Sequence, residues 1–481
     1  MEKKGWQRYH TIWAMLFLGW FVSYADRTLT GPVVTWMIEN KVSLLQSAAN
    51  PHALGGLLGS LFFAGYMLTQ FPGGYFGDRF GYRTIVIVSI VWAGITTLIS
   101  GLFSGLIIFI ALRVLTGLGE GVFYSNDRSL IAQVTPPNKI GLGMGVVISG
   151  LSTGLTVGLL GTPYLIKSFQ PILGNESWKV PFVVMGLITL ITALLMYKYM
   201  RPLNFDNTTR EPFGKAFLNL FKYSIVFFAV IMGIYFITDY LKMTPAMIGG
   251  VFTALAIAFI YYVYKTKTSE VGPILKDRNL NLMYVGYIAV LWHLWFYGFW
   301  STAIVKDFGG GALTTAALIA SFNALAGLIG FPVGGKISDM VAHKTNGRRN
   351  VLIGLTATLT FLIFIFAFYV MSGYKDPVVM SILLFLSGLF FFALQPVAQA
   401  MTSEMAPPEH RGSAFGMLNL VSEIGALLSP VISGAMRDYT GGWGSALLLD
   451  GALMAISCLI YMGIRAKQVS IINAGDTKAS V

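Results

Sequence analysis

The stretch Phe21-Val-Ser-Tyr-Ala-Asp-Arg-Thr-Leu-Thr-Gly31 places two adjacent charged residues inside a long apolar run. The run extends from about Thr11 to Met37, which is long enough to cross a bilayer as a helix. An ionised side chain at the bilayer centre costs about 2.5–3.5 kcal/mol on insertion scales, so Asp26 and Arg27 should face a bundle interior or a wet cavity. Adjacent residues of a helix do not face each other, so each charge requires a partner on another helix.

The composition is that of a polytopic membrane protein. Of the 481 residues, 55% are hydrophobic and only 11% are charged, whereas a soluble domain carries about 25% charged residues. The net charge of +12 is explained by Lys and Arg that hold cytoplasmic loops inside, and not by nucleic-acid binding. A single cysteine, Cys458, excludes an internal disulfide and any multi-cysteine metal site. We therefore expect no cofactor, no metal and no enzyme activity.

Apolar runs predict an all-α protein with fourteen spanning helices, arranged as six, two and six. The runs lie near 10–37, 52–77, 84–104, 106–134, 139–168, 177–200, 216–240, 244–264, 281–304, 312–338, 349–371, 377–403, 413–436 and 444–464. The predicted domains are an N-terminal six-helix bundle at 1–200, an inserted two-helix segment with cytoplasmic linkers at 201–280, and a C-terminal six-helix bundle with its tail at 281–481. The inserted pair is bulky and aromatic without a central charge, so we expect a peripheral position and no direct transport role.

Charge and internal repeats support this plan. Lys and Arg concentrate in the segments that the plan places in the cytoplasm, so both termini are expected to be cytoplasmic. Thr135-Pro-Pro-Asn-Lys-Ile-Gly-Leu-Gly-Met-Gly145, after the fourth span, matches Ala406-Pro-Pro-Glu-His-Arg-Gly-Ser-Ala-Phe-Gly416, after the twelfth. Duplicated six-helix halves are typical of secondary transporters, with the substrate held between them at the bilayer midplane.

The most specific local motif is Gly74-Tyr-Phe-Gly-Asp-Arg-Phe-Gly-Tyr-Arg-Thr84. It resembles the loop signature G-x-x-x-D-R-x-G-x-[RK] of the major facilitator superfamily, and Gly335-Lys-Ile-Ser-Asp339 is a second copy of its start. Glycines permit close helix approach and tight turns. The resemblance implies a loop that latches one half against the other, whereas the alternative is a basic cytoplasmic turn. The gating residues that it implies are Gly74, Asp78, Arg79, Gly81, Arg83 and Asp339.

The fourth predicted span carries a second pair of charges, Arg113 and Glu120. Seven residues are almost two helical turns, so the two side chains share one face about 10 Å apart. They are too distant to pair with each other, but they can face Asp26 and Arg27 across the N-terminal bundle. The planar fork of arginine binds carboxylate or phosphate bidentately, so this arrangement suggests anion capture beside carboxylates that accept protons. The alternative is a charge network that only locks the fold.

Together these residues resemble the anion:cation symporter family, whose members include bacterial hexonate and hexuronate importers and the animal sialic acid and vesicular glutamate carriers. The resemblance implies that Arg27 and Arg113 contact the substrate anion with help from Tyr66, while Asp26 and Glu120 carry coupling protons. It rests on Tyr24-Ala-Asp-Arg27, Tyr66 before Gln70-Phe-Pro-Gly-Gly74, Arg113 with Glu120, and Asn126-Asp-Arg128.

Two carboxylates depart from the family pattern. The family usually has Asn where this chain has Asp127, and often has Asn where it has Glu423. The extra carboxylates can alter ion coupling or substrate charge. Other polar residues within the spans either line the cavity or link helices. We assign Asn323 and Asn419 to substrate binding, and leave the role of a further set open: Asn126, Asp127, Arg128, His293, Gln395 and Glu423.

The sequence thus predicts a monomeric secondary active transporter in the cell membrane. It should take up a small organic anion (a sugar acid, carboxylate or sulfonate) by alternating access, with H⁺ favoured over Na⁺ as the coupling ion. The alternative is a proton-driven multidrug or metabolite efflux antiporter, because fourteen-helix members of the superfamily often export drugs. Such antiporters usually carry G-x-x-x-G-P-x-x-G-G in the fifth span. Here Gly150-Leu-Ser-Thr-Gly-Leu-Thr-Val-Gly158 lacks the Gly-Pro, which favours uptake.

Overall fold

The computed structural model describes residues 5–46, 48–136, 139–200, 213–309, 311–407 and 410–465. Its regular elements within these ranges are helices, which we number in chain order. They are α1 Arg8–Glu39, α2 Ser43–Gln46, α3 Pro51–Phe80, α4 Tyr82–Ser100, α5 Leu106–Glu120, α6 Phe123–Val134, α7 Ile140–Leu173, a 3₁₀ helix Gly174–Lys179, α8 Val180–Tyr199, α9 Phe213–Tyr240, α10 Pro245–Thr266, α11 Thr268–Leu275, α12 Arg278–Gly309, α13 Leu313–Leu325, α14 Gly327–Met340, α15 Gly347–Met371, α16 Pro377–Met405, α17 Arg411–Thr440 and α18 Gly444–Met462.

Twelve segments of the described chain are long and apolar enough to cross a membrane, so the expected count of fourteen spanning helices is not supported. Helix α1 is not among the twelve, because Asp26 and Arg27 lower its mean hydropathy. In addition, Leu142–Tyr199 counts as one segment of 58 residues, although it contains both α7 and α8 joined by the 3₁₀ helix. The two charged residues that make α1 a candidate for the functional site therefore also lower its mean hydropathy.

Helix ends follow recognisable local chemistry. Asp376 begins α16 by accepting hydrogen bonds from the backbone N–H groups of Val378 and Val379, at 2.8 and 3.2 Å, and Pro377 occupies the first turn. Such caps satisfy N–H groups that have no partner within the helix. Helix α17 ends at Gly441, whose φ of +73° favours glycine.

Helices from the two ends of the chain cross at backbone contact. A Cβ atom at Gly31 of α1 would collide with the carbonyl of Phe299 on α12, and one at Gly56 of α3 would collide with the carbonyl of Pro430 on α17. Glycine is required at both crossings because any side chain would separate the backbones. The helices that carry the predicted site are therefore held tightly against the C-terminal helices.

The inserted helices α9 and α10 have different neighbours. Helix α9 packs on α3, α4 and α5, whereas α10 packs on both α3 and α17. Gly249 of α10 lies against the side chain of Val431, to which an added Cβ would come within 2.8 Å. The inserted pair is therefore in contact with helices that precede it and with helices that follow it.

Candidate functional site

Arg27 of α1 is paired with Glu120 of α5. Its Nε atom donates to Glu120 Oε2 at 2.8 Å, and the two side chains are 2% and 1% exposed. Ser23 joins the pair, since its hydroxyl donates to the same oxygen while accepting from Arg27 Nη2 at 3.0 Å. Glu120 Oε1 is buried without a hydrogen-bond partner. The carboxylate is thus held through one oxygen only.

Asp26 is paired with Arg113, also across α1 and α5. Arg113 Nη1 lies 3.4 Å from Asp26 Oδ2, and both side chains are at most 2% exposed. Thr97 on α4 donates to Asp26 Oδ1 at 2.8 Å. Arg113 Nη2 lies within hydrogen-bonding distance of hydroxyls on three residues, Thr97, Ser100 and Thr116, at 3.2–3.4 Å.

These two ion pairs, which we call the crossed pairs, agree with the spacing argument that adjacent helical charges need separate partners. Asp26 and Arg27 point to different residues of α5, and Arg113 and Glu120 do not pair with each other. Each guanidinium is already neutralised by a carboxylate of the protein. Capture of an external anion by either arginine therefore requires an exchange of partners.

Aromatic rings surround Arg27. Its guanidinium carbon lies 4.2 Å from the ring centroid of Tyr66 and 4.9 Å from that of Tyr24, both within range of cation–π attraction. Tyr24 in turn stacks on Trp295 of α12, with centroids 5.6 Å apart. Tyr66, for which the family resemblance implies a part in substrate binding, thus lies against Arg27, and Trp295 of α12 extends the same group of rings.

A small cavity lies between the two arginines, with room for about one water molecule. Its lining combines both guanidinium-bearing residues with apolar groups from α1, α3 and α12: Arg27, Thr30, Leu58, Gly59, Phe62, Phe63, Arg113 and Phe299. An anion larger than water requires these helices to separate.

Glu423 of α17 faces α3. Gln70 Nε2 lies 3.4 Å from Glu423 Oε1, and Glu423 takes part in no ion pair with another described residue. Its second oxygen, Gln70 Oε1 and Asn419 Nδ2 are buried without hydrogen-bond partners. Asn419 and Glu423 are four residues apart and share a helix face. This surface therefore offers both acceptors and a donor.

The motif Asn126-Asp127-Arg128 connects α6 with its neighbours. Asn126 Nδ2 donates to the carbonyl of Gly73 on α3 at 2.8 Å. Asp127 Oδ2 accepts from the indole N–H of Trp20 at 2.7 Å, and Arg128 Nε lies 3.8 Å from Asp127 Oδ1. The extra carboxylate at Asp127 thus has a partner on α1 and a cation beside it.

The remaining predicted residues of the C-terminal helices have other surroundings. Asn323 Nδ2 donates to the carbonyl of Leu384 at 3.1 Å and so links α13 to α16. Gln395 is buried, and its Nε2 atom has no partner. His293 pairs with Asp450 of α18 at 2.8 Å. Sequence reasoning did not single out Asp450, although a lone carboxylate inside the apolar run 444–464 is a detectable signal.

The predicted gating motif lies where α3 meets α4. Gly81, with φ +86°, separates the two helices. Arg83 Nη2 donates to the carbonyl of Tyr197 on α8 at 2.9 Å. Arg79 is exposed, Gly74 has open space around it, and Asp78 belongs to α3 with its side chain outside the described part. In the second copy, Asp339 lies 3.5 Å from Arg348.

Ion pairs join the two sets of helices at the opposite end of α3. His52 Nδ1 lies 2.6 Å from Asp438 Oδ1 on α17, and the backbone N–H of Ala53 donates to the other oxygen at 2.8 Å. Lys306 Nζ lies 3.0 Å from Glu39 Oε1. We call this the His52 end. A cavity of about 290 Å³ opens there, lined by Thr35, Ile38, Glu39, His52, Ala303, Lys306, Asp307 and Arg437.

Comparison with known proteins gives consistent matches. The sequence model of the Major Facilitator Superfamily matches residues 16–373 and 283–478. The protein described as "Probable sulfoacetate transporter SauU" of Cupriavidus necator is 24% identical, over 98% of this chain and 96% of its own length. The hexuronate transporter of Bacillus subtilis is 24% identical, over 92% of each chain.

The fold is also similar to that of solved transporters. A crystal structure of a bacterial homologue of the human lysosomal transporter Spinster, in an inward-facing and occupied conformation, matches with a TM-score of 0.66. Its sequence is 16% identical, and the match covers 96% of this chain and 97% of that one. The two chains therefore have the same helical fold.

Proposed function

Because the chain belongs to the major facilitator superfamily, we propose that it is a proton-coupled transporter of a small organic anion. Relatives of the chain include proteins described as sulfoacetate and hexuronate transporters, which carry organic anions and are not enzymes. The observation that carries the proposal is the pairing of Arg27 with Glu120 out of reach of solvent. A buried ion pair that can exchange partners provides both an anion site and a proton site.

The coupling follows from the cost of a stranded charge. The guanidinium of Arg27 keeps its proton at any physiological pH, and removing the partner of a buried ion pair costs about 3–5 kcal/mol. When Glu120 accepts a proton, Arg27 therefore requires another anion, and a carboxylate or sulfonate can bind its fork. When Glu120 loses the proton, the original pair re-forms and the substrate is released.

The second crossed pair contributes in the same way. When Asp26 accepts a proton, Arg113 becomes free to bind an anion. It can bind the second acid group of a divalent substrate, or share with Arg27 the single acid group of a monovalent one. The guanidinium of Arg113 stays oriented because the hydroxyls around its Nη2 atom remain in place. The two pairs together allow up to two protons to accompany the anion.

The α3–α17 surface suits a hydroxylated substrate. A sugar-acid hydroxyl both donates and accepts hydrogen bonds. Glu423 and Gln70 each have an oxygen without a partner, and the amide of Asn419, one helical turn from Glu423, is a donor without one. Buried polar atoms without partners are costly until a ligand satisfies them. We assign the acid group to Arg27 and Arg113, and the hydroxyl groups to this surface.

Transport proceeds by alternating access between the helices that precede the inserted pair and those that follow it. The ion pairs at the His52 end close one side, and separation of the α1–α12 and α3–α17 crossings opens the cavity. We place the protein as a monomer in the cell membrane, with both termini and the Arg79 loop in the cytoplasm and the His52 end outside. The positive charge of the loops supports this orientation.

The test is uptake into proteoliposomes that contain the purified protein. Radiolabelled sugar acids, dicarboxylates and sulfonates are offered with and without an acidic exterior, and with a Na⁺ gradient in parallel. Accumulation of one of these acids driven by the pH gradient is the expected result. Accumulation driven only by Na⁺ would contradict proton coupling. Proton-driven export of a cationic drug without uptake of any acid would instead support the efflux alternative.

A further inference from the structure

A second buried acid–base pair lies outside the crossed pairs. His293 stands midway along α12, and Asp450 lies in the second turn of α18. The Nδ1 atom of His293 is 2.8 Å from Asp450 Oδ2, and the side chains are 1% and 0% exposed. No substrate role assigned above involves either residue.

The surroundings of the pair are aromatic. The ring of Tyr297 lies 4.6 Å from the His293 ring and that of Phe391 on α16 lies 4.7 Å from it. Phe366 of α15 lies 6.3 Å from Tyr297. Three polar atoms in this environment have no hydrogen-bond partner: His293 Nε2, Asp450 Oδ1 and the hydroxyl of Tyr297.

The buried charged groups of the neighbouring helices α1 and α17 contact other residues. On α1, Asp26 and Arg27 are held by α5. On α17, Glu423 faces Gln70 of α3. From α15 and α16 the pair meets the rings already described, and its own helix contributes Tyr297. Among the described residues, His293 and Asp450 therefore form an ion pair with each other and with no other group.

We propose that His293 and Asp450 form a second proton-binding site, whose occupancy sets the rate at which α12 moves during transport. A neutral imidazole beside a carboxylate carries one net negative charge, and adding a proton makes the pair neutral. Burial among aromatic rings penalises the charged state. The free Nε2 and Oδ1 atoms allow the proton to enter or leave without breaking the Nδ1–Oδ2 contact.

The consequence for α12 is mechanical. With the proton bound, the pair holds α12 against α18 as a compensated contact. Without it, the stranded charge weakens this contact, and α12 also lies against α1 and α17 at the central crossing. Substrate exchange should therefore depend on pH through a group distinct from Glu120 and Asp26.

The direct test is the pH dependence of stability, which needs no substrate. A proton held by the pair in the folded protein stabilises the fold, so the free energy of unfolding should fall over the pH range in which the pair loses that proton.

The variant is the double change His293→Gln and Asp450→Asn, which keeps a hydrogen-bonding pair but cannot titrate. The unfolding temperature is measured in detergent from pH 5.5 to 9 for wild type and for the double variant. The expected result is a profile that falls at high pH for wild type and falls less for the variant. A variant that is less stable by the same amount at every pH would show a purely structural pair and overturn the proposal.

Exchange of labelled for unlabelled substrate across proteoliposomes is the second readout, because it involves no net proton flux. We expect the pH dependence of exchange to differ between the two proteins, because both retain Glu120 and Asp26 and only wild type has the His293–Asp450 pair. Exchange that slows identically in both proteins would overturn the rate-setting role. This part rests on the proposed function, since exchange requires a transported anion, whereas the stability profile does not.

Discussion

Arg27 Nε and Glu120 Oε2 are 2.8 Å apart, and they join two different helices at a position that solvent does not reach. In the proposed mechanism, Glu120 and a substrate acid compete for this edge of the guanidinium, and the protonation state of Glu120 decides which of the two binds Arg27.

The first prediction tests this competition with Glu120→Gln, which resembles the protonated state. Substrate binding and exchange should persist, because the amide no longer claims Arg27 as an ion. Wild type with one coupled proton can reach up to about tenfold accumulation per pH unit of gradient, whereas the variant should only equilibrate. Three quantities are measured on the same preparation: substrate affinity from tryptophan fluorescence, the rate of substrate exchange, and uptake driven by the pH gradient.

The control for Glu120→Gln is Glu176→Gln, because the Glu176 side chain is 48% exposed and lies outside the site. It should accumulate substrate as wild type does. Gradient-driven accumulation that survives in both Glu120→Gln and Asp26→Asn would remove these carboxylates from the coupling mechanism.

The second prediction concerns Arg113. Arg113→Ala should weaken binding by about a hundredfold or more, because the anion loses one of its two guanidinium partners. Arg113→Lys should rescue binding poorly, since an ammonium cannot reach Asp26 and the surrounding hydroxyls with one planar fork. Affinity is measured by tryptophan fluorescence on purified protein.

A double variant, Arg113→Ala with Asp26→Asn, separates binding from folding. It removes both charges of the pair, so stability should recover while affinity stays low. Recovery of both stability and affinity would mean that this pair only locks the fold.

The third prediction concerns orientation. With Cys458→Ser as background, a cysteine at the exposed position Arg79 should react with an impermeant thiol reagent only after the membrane is permeabilised. A cysteine at Thr35, in the cavity of the His52 end, should react in intact cells. Ready labelling at position 79 from outside would reverse the assigned topology.

The fourth prediction concerns closure of the His52 end. Asp438→Asn replaces a carboxylate that accepts from both His52 and the backbone of Ala53. Loss of charge-assisted hydrogen bonds of about 1.5 kcal/mol should raise the open population by about tenfold. The measurement is the labelling rate of the Thr35 cysteine in the two backgrounds. Unchanged labelling would show that the pair does not hold this end closed.

The fifth prediction concerns the gating motif. Asp78→Asn should slow transport while leaving expression and affinity nearly intact, because it disturbs a latch and not the cavity. Initial uptake rates over a range of substrate concentrations separate the two effects. A large loss of affinity with normal turnover would place Asp78 in binding instead.

Helical periodicity and the cost of buried charge were enough to predict that Asp26 and Arg27 need partners on the fourth span. Periodicity alone did not determine which residues pair, since that depends on how α1 crosses α5. The span count failed for a related reason. A helix that carries buried charged residues is less apolar than a spanning helix without them, so α1 is absent from the twelve segments.

The C-terminal helices were harder to interpret from their sequence. Asn323 is predicted to bind the substrate, and in the structure its amide donates to a carbonyl of α16. Asp450 was missed because its partner, His293, is 157 residues away, and no local spacing relates them. Contacts between residues so far apart in the sequence depend on how the helices pack. Glycines such as Gly31 and Gly56 allow that close packing, but they belong to no recognisable sequence motif.

The inserted helices also limit how such a chain can be built. Helices α9 and α10 are joined by a short turn between Tyr240 and Pro245, so the second helix returns the chain to the side from which the first one left. Everything after the pair keeps the orientation that it would have without it. One helix alone would invert the rest of the chain and move Asp438 to the face opposite His52. Helices can therefore be gained or lost at this point only in even numbers.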